Sequence, residues 1–264
     1  MLPTDHLAVV ERVVEHPLPY ISLLLAVPRG WADLAAGQFV MVRTGSGLEP
    51  FLRRAFSVHD ATSSEAGDRI ELLIKAVGPG TRALAALSPG ARLPVLGPLG
   101  RGFSLAAEGP VALVAGGVGA APLYLLARRL AARGQRFDFF YGGRNRADLP
   151  RLESFAALAR RSGGRLVATT EDGSAGLRGL VTEPLERALA SGEFRFVYAC
   201  GPMGLLARLA SLVAAHGLGG EAALETPMGC GFGACLGCAV PRPDGRFALC
   251  CQDGPVFAFS EVAW

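Results

Sequence analysis

The sequence predicts a multidomain β plus α/β protein: an antiparallel β-barrel, then a doubly wound parallel α/β sheet, then a small cysteine-rich C-terminal domain. Three observations predict it. Short apolar segments broken by Gly and Pro fill the first part of the chain. Strand-like and helix-like segments then alternate. Five of the six cysteines fall after residue 225. The expected boundaries are 1–106, 107–223 and 224–264.

With 264 residues, 50% hydrophobic and 19% charged, the chain can build more than one core. Its net charge is +3, with both signs interspersed, which does not point to nucleic acid. No apolar run reaches the length of a membrane span. The first twenty residues lack a basic flank followed by a long apolar stretch, so no signal peptide is expected. The expected location is cytoplasmic, where clustered cysteines are more often metal ligands or redox thiols than disulfides.

The barrel strands are read at 7–14, 21–27, 37–43, 54–60, 69–77 and 91–100, rich in Val, Ile, Leu and Phe with turn residues between them. Residues 81–87 are the helical candidate among them. From about residue 110 the period changes. Apolar runs at 110–117, 136–143, 165–173, 194–202 and 221–225 alternate with helical spacing at 121–134, 152–163, 181–192 and 204–217. That alternation is the pattern of a parallel sheet. The tail is too short for much of a core, so a metal centre is expected to help it fold.

Cys230, Cys235 and Cys238 follow a C-x4-C-x2-C spacing, with a further cysteine at Cys250 or Cys251. This is the spacing of plant-type [2Fe–2S] ligation, and thiolates are soft donors that suit such a cluster. Gly229, Gly231, Gly233 and Gly237 allow the tight backbone that a ligand loop needs. Zinc or buried free thiols are the plainer alternatives, although zinc sites usually group their cysteines two and two. Cys200 ends a predicted strand, where burial or a place beside a nucleotide is expected.

Gly116, Gly117 and Gly119 lie between a strand and a helix, where backbone N–H groups and a helix dipole can receive a pyrophosphate. Cys200, Gly201 and Pro202 end a second strand. Two such turns in one sheet predict a ligand crevice. In the barrel, Arg53, Arg54 and Ser57 lie on one strand, and Gly78, Gly80 and Thr81 precede a short helix. An arginine fork and a helix N-terminus both hold phosphate. A solvated charge pair and a plain turn are the alternatives.

Taken in order, R-x-x-S, G-x-G-T, "GPLGRGF", "GGVGAAP", "CGPM" and C-x4-C-x2-C with "CCQDGPVF" resemble the electron-transfer subunits of type B dihydroorotate dehydrogenases, members of the ferredoxin–NADP reductase superfamily. The resemblance spans essentially the whole chain. It implies an FAD-binding barrel, an NAD-binding α/β domain and a small [2Fe–2S] domain. Arg54, Ala55, Phe56 and Ser57 match the flavin motif, with Ala55 where the family often has Pro. Gly80 and Thr81 match a second pyrophosphate site. Gly116, Gly117 and Gly119 match the NAD turn, and Cys200, Gly201 and Pro202 its nicotinamide side. The cluster ligands it implies are Cys230, Cys235, Cys238 and Cys251, the last chosen because it precedes x-D-G-P-V-F.

The family implies NAD as coenzyme. Arg144 and Arg146 would favour a 2′-phosphate, and Glu171 and Asp172 would disfavour it. The resemblance implies an NAD-dependent flavin and iron–sulfur oxidoreductase subunit in pyrimidine biosynthesis. Electrons pass from a partner FMN subunit that oxidises dihydroorotate, through [2Fe–2S] and FAD, to NAD⁺. No side chain is expected to act as a catalytic group, because the cofactors carry the chemistry. The expected assembly is a heterotetramer with two copies of each subunit. Two rivals stay open. One is a ferredoxin:NAD(P) reductase-type subunit serving another partner; the other is a non-enzymatic, zinc-stabilised interaction or redox-sensing module. His59 follows the flavin strand and is read as a hydrogen-bonded surface histidine.

Overall fold

The computed structural model describes residues 4–17, 19–45, 49–105 and 107–264. The strands β1 (Asp5–Glu15), β2 (Tyr20–Val27), β3 (Phe39–Val42), β4 (Arg54–Ser57), β5 (Asp60–Ser64), β6 (Gly67–Lys75) and β7 (Arg92–Leu99) form one antiparallel sheet. Their order is β4-β3-β7-β1-β2-β6-β5. The two edge strands, β4 and β5, are consecutive in the chain. The sheet therefore curls until its edges meet at the corner Val58–His59, and no long edge is left open. Helix α1 (Pro79–Ala85) overlaps the expected 81–87 region, starting and ending two residues earlier. Residues 54–60, expected as one strand, are two, because the chain turns the corner at His59, whose N–H donates to the Glu71 carbonyl.

The second half contains β8 (Val111–Gly116), α2 (Ala121–Ala132), β9 (Phe137–Gly143), α3 (Leu152–Arg161), β10 (Leu166–Thr170), β11 (Leu177–Arg178), α4 (Thr182–Leu189), β12 (Phe196–Cys200), α5 (Met203–Ala215) and β13 (Gly219–Ala223). Strands β8, β9 and β12 are buried almost throughout, which is why they read as continuous apolar runs. The sheet order is β11-β10-β9-β8-β12-β13 followed by the C-terminal strand β16 (Val256–Ala258), parallel except at that last strand. The order reverses between β8 and β12, the point where open α/β sheets bind ligands.

The tail carries the hairpin β14 (Ala239–Pro241) and β15 (Phe247–Leu249), then β16 (Val256–Ala258). Strand β16 pairs antiparallel with β13, so the tail completes the α/β sheet. Phe257, Val262, Val240, Cys238 and Cys251 share one apolar cluster with Phe39 and Met41 of the barrel and Leu206 of α5. The tail thus has more apolar support than its length suggested, borrowed from both larger parts. Ala106, the expected boundary residue, lies outside the described residues. Among the described residues, no helix is long and apolar enough to cross a membrane.

Barrel and α/β sheet are joined at a seam. Asp148, which is 5% exposed, accepts from Tyr20 Oη at 2.8 Å and Lys75 Nζ at 2.9 Å, both on barrel strands, and from Arg144 Nε at 2.8 Å. Burial by itself would raise the Asp148 pKa. The bonds from Lys75, Arg144 and Tyr20 outweigh it and hold the carboxyl well below the usual carboxylate range. A depressed carboxylate stabilises the fold above its unfolded pKa, about 3.9, and that stabilisation is lost as pH falls through the folded value. Asp148→Asn is expected to cost about 2 kcal/mol at pH 7, since hydrogen bonds to a charged group contribute about 1.5–3 kcal/mol. It also flattens the acid limb of a thermal-midpoint-versus-pH curve. An unchanged acid limb would show that the node contributes nothing.

Candidate functional site

The thiols gather where the tail folds back on the barrel. Cys238 Sγ and Cys251 Sγ are 3.2 Å apart, and the Gly233 N–H donates to Cys251 Sγ at 3.1 Å. Cys230 is half-buried and Cys235 exposed on the adjoining loop. Burial raises the Cys230 pKa, but the backbone N–H groups of Phe232, Cys235 and Ala234 outweigh it and bring the thiol down to about 6. Burial, with Cys238 alongside, pushes the Cys251 thiol up to about 12. Gly231 and Gly233 have φ of 86° and 88°, the left-handed region that lets the loop turn its N–H groups inward. Among the described residues no three of these thiols are drawn together as a finished ligand set, but the close Cys238–Cys251 pair, a loop amide aimed at sulfur and two further soft donors on the adjoining loop suit an iron–sulfur centre with two irons.

Cys250 faces the other way. It is fully buried, with its Sγ 3.7 Å from the Leu224 carbonyl. In the turn after β15, Cys251 enters the thiol group and Cys250 enters the core. The thiol loop also sits on the flavin-motif side of the barrel. A Cβ at Gly231 would lie 2.4 Å from Met41 Cγ, and Met41 is the cross-strand partner of Ala55 on β4.

On β4, Arg54 and Gly80 come together: a Cβ at Gly80 would be 3.1 Å from Arg54 Nε and 3.0 Å from Thr44 Oγ1. Thr44 Oγ1 is buried without a partner among the described residues. A guanidinium, an orphaned hydroxyl and the first N–H groups of α1 therefore border a cradle that a methyl group would fill. That set fits a pyrophosphate. Thr81 contributes differently from expectation. Its hydroxyl accepts from the Val77 and Gly78 N–H groups, both at 3.0 Å, and so caps its own helix. Arg53 is engaged elsewhere, in an ion pair with Asp5 at 2.6 Å. Ala55 is exposed, Ser57 half-buried, and Phe56 packs against the barrel core.

At the switch point is a cleft of about 660 Å³. Gly116, Gly117, Gly201 and Pro202 line it, together with Lys75, Asp148, Glu171 and Glu225. Gly119 and Cys200 do not line it. They pack on each other behind it: a Cβ at Gly119 would be 2.4 Å from the Cys200 carbonyl oxygen. Burial first, then Glu225 and Cys250, raise the Cys200 thiol well above its usual range. The cations expected to welcome a 2′-phosphate are occupied. Arg144 is tied to Asp148, and Arg146 Nη1 donates to the Leu149 carbonyl at 3.3 Å. Asp172 is bound by Ser174 and does not line the cleft, whereas Glu171 does.

Sequence reasoning missed Thr44, Lys75, Asp148 and Glu225. Glu225 lies two residues past β13, with its side chain open to solvent on the cleft wall. Its place directly before the cysteine motif was the one available signal. His59, read as a surface residue, is instead completely buried at the seam.

Residues 225–263 match the family model for the iron–sulfur cluster binding domain of dihydroorotate dehydrogenase B, and residues 113–210 match that for an oxidoreductase NAD-binding domain. The chain is 37% identical over 232 residues to the dihydroorotate dehydrogenase B (NAD(+)) electron transfer subunit of Desulforamulus reducens, covering 86% of each. It is 38% identical over 231 residues to that of Geobacillus kaustophilus, again covering 86% of each. Among solved structures it superposes on a chain of an NADH-dependent reduced ferredoxin–NADP oxidoreductase. There the TM-score is 0.85 and the identity 28%, covering 98% of this chain and 90% of that one. A ferredoxin NADP⁺ reductase from Neisseria gonorrhoeae with bound FAD and NADP shares the fold at a TM-score of 0.65 and 20% identity, covering 82% and 92%. At these identities and coverages, the chain belongs to the family of dihydroorotate dehydrogenase B electron transfer subunits.

Proposed function

We propose that this chain carries electrons from a partner subunit that oxidises dihydroorotate to NAD⁺, in pyrimidine biosynthesis. The observation that carries the reading is the contact of Gly231 in the thiol loop with Met41, whose cross-strand neighbour Ala55 lies in the flavin motif. It supports a path from the thiols to the flavin motif, with the dinucleotide cleft beyond it.

Cys230, Cys235, Cys238 and Cys251 would hold a [2Fe–2S] cluster. Arg54, Thr44 and the first N–H groups of α1, at Gly80 and Thr81, would hold the FAD pyrophosphate, with Ala55, Phe56 and Ser57 along the flavin. Gly116, Gly117, Gly201 and Pro202 would admit the dinucleotide, with Gly119 and Cys200 shaping the turn from behind. When bound, the flavin exchanges hydride with nicotinamide and single electrons with the cluster, so it converts one kind of transfer into the other. The protein's own work is to bind, orient and exclude water. Glu171 on the cleft wall would repel a 2′-phosphate, which supports NAD over NADP.

The partner is expected to be an FMN-containing subunit, in an assembly with two copies of each chain. Leu236 is 63% exposed and Phe232 38% exposed on the thiol loop beside exposed Cys235, which supports docking at that face. A cytoplasmic location is consistent with six free thiols. Co-expression with an FMN-type dihydroorotate-oxidising subunit tests the reading. Orotate formation coupled to NAD⁺ reduction is expected. Reduction of ferredoxin in its place would favour the rival reductase, and a colourless zinc-containing protein would end both.

Arg54→Leu is expected to weaken FAD binding about 10- to 100-fold, because a charge-assisted hydrogen bond contributes about 1.5–3 kcal/mol. Fluorescence titration of deflavinated protein with FAD measures this. An unchanged affinity would remove Arg54 from the cradle.

A further inference from the structure

His59 lies two residues beyond Ser57, at the corner between β4 and β5, and is completely buried. Its Nδ1 is 3.0 Å from the carbonyl oxygen of Ala121, the first residue of α2. A carbonyl only accepts, so Nδ1 carries the proton and donates. The ring stacks on Tyr124 of α2, with centroids 4.5 Å apart and planes 22° apart, and meets Phe155 of α3 edge-on at 6.0 Å. A barrel side chain is thus seated wholly in the α/β half.

The other ring nitrogen, Nε2, is buried without a partner among the described residues. Leaving a buried polar atom unpaired is costly. A phenyl ring would give similar stacking without that cost, so what the imidazole adds is the Nδ1 donor. Burial, more than any neighbouring charge, brings the ring down to about 4, so it is neutral at physiological pH.

What the donor holds matters more than its strength. Ala121 is two residues past Gly119, at the end of the glycine turn of the dinucleotide cleft. Ser57 is two residues before His59 at the end of the flavin strand. One hydrogen bond therefore spans the short path between the two cofactor-facing segments. Other seam links lie close by: Arg128 of α2 pairs with Asp60, the residue after His59, and Tyr20 reaches Asp148 beside Gly117, but neither donates to the backbone at the head of α2.

We propose that His59 is a positioning residue for hydride transfer: by donating to Ala121 it fixes the glycine turn at the head of α2 against the Arg54–Ser57 strand, and so sets how nicotinamide approaches flavin. The inference rests on the assignment of β4 to flavin and of the switch-point cleft to the dinucleotide. A misplacement of about 1 Å can cost up to about 100-fold in rate.

The test is stopped-flow reduction of the flavin by NADH in the holoenzyme, with hydrogen exchange of residues 117–124 as a second readout. His59→Phe is expected to slow hydride transfer at saturating NADH about tenfold, equivalent to about 1.4 kcal/mol in the barrier. Flavin content and NADH affinity stay the same, and exchange in 117–124 accelerates. His59→Asn, whose amide places a donor near Nδ1, restores the rate and the protection. His59→Leu serves in place of Phe if the larger ring prevents folding. A donor-less variant as fast as the parent overturns the proposal, and so does an Asn variant as slow as the donor-less one. Failure of NADH to reduce the parent flavin would instead overturn the assignment of the cleft, and the proposal with it.

Discussion

Cys251→Ser is expected to strip the protein of iron and acid-labile sulfide and to abolish the iron–sulfur absorption, while Cys250→Ser leaves all three intact. The two residues are neighbours in sequence and opposite in direction. Cys251 Sγ lies 3.2 Å from Cys238 Sγ and receives the Gly233 N–H, whereas Cys250 faces the Leu224 carbonyl within the core. A serine hydroxyl is a harder donor than a thiolate and does not suit a cluster held by soft ligands. Electron flow from the partner is expected to fall with the cluster. Reduction of an artificial acceptor by NADH through the flavin survives, because that route does not pass the thiol loop. Cys235→Ser is expected to behave as Cys251→Ser does. Iron and sulfide analysis of anaerobically isolated variants decides the matter. Cluster loss in Cys250→Ser, with retention in Cys251→Ser, would reverse the assignment.

Gly119→Val is expected to block the flavin's reduction by NADH while leaving the flavin and cluster spectra in place. Even a Cβ at Gly119 would sit 2.4 Å from the Cys200 carbonyl oxygen, 2.6 Å from its carbon and 2.7 Å from the Gly201 nitrogen. These are backbone atoms, and Cys200 is fixed in β12 by Ala115 on one side and Ala223 on the other. The turn must therefore move instead, and it carries Gly116 and Gly117 on the cleft wall with it. Overpacking of this kind costs about 1–3 kcal/mol, and a branched side chain against fixed backbone belongs at the upper end. Thermal unfolding and NADH titration together read the effect. A variant with unchanged stability and undiminished flavin reduction would show that the close packing of Gly119 on Cys200 is dispensable.

These expectations differ in how they could be reached. The three-cysteine spacing was readable because ligand chemistry is local: C-x4-C-x2-C says what it holds before the chain folds. The glycine turns were readable for the same reason. The role of each glycine was not. Gly116 and Gly117 line the cleft, whereas Gly119 packs behind it, a difference set by where β12 lies. Thr81 looked like a phosphate ligand and caps its own helix, because the turn before α1 brings two N–H groups to its hydroxyl. Resemblance chose Cys251 over Cys250. The physical reason for that choice is the direction of two side chains at the end of β15, and it appears only in the folded chain.

The sequence by itself determined the kinds of parts present: a strand-rich half, an alternating α/β half, and a group of soft sulfur donors in a glycine-rich loop. Periodicity and spacing are properties of neighbours along the chain, so they survive in one dimension. Tertiary structure alone decided how the parts meet. Asp148 joins Tyr20 and Lys75 across more than seventy residues, β16 closes the sheet begun by β8, and His59 reaches Ala121. Such contacts depend on how two surfaces pack once their apolar faces are buried, and no local pattern records that choice.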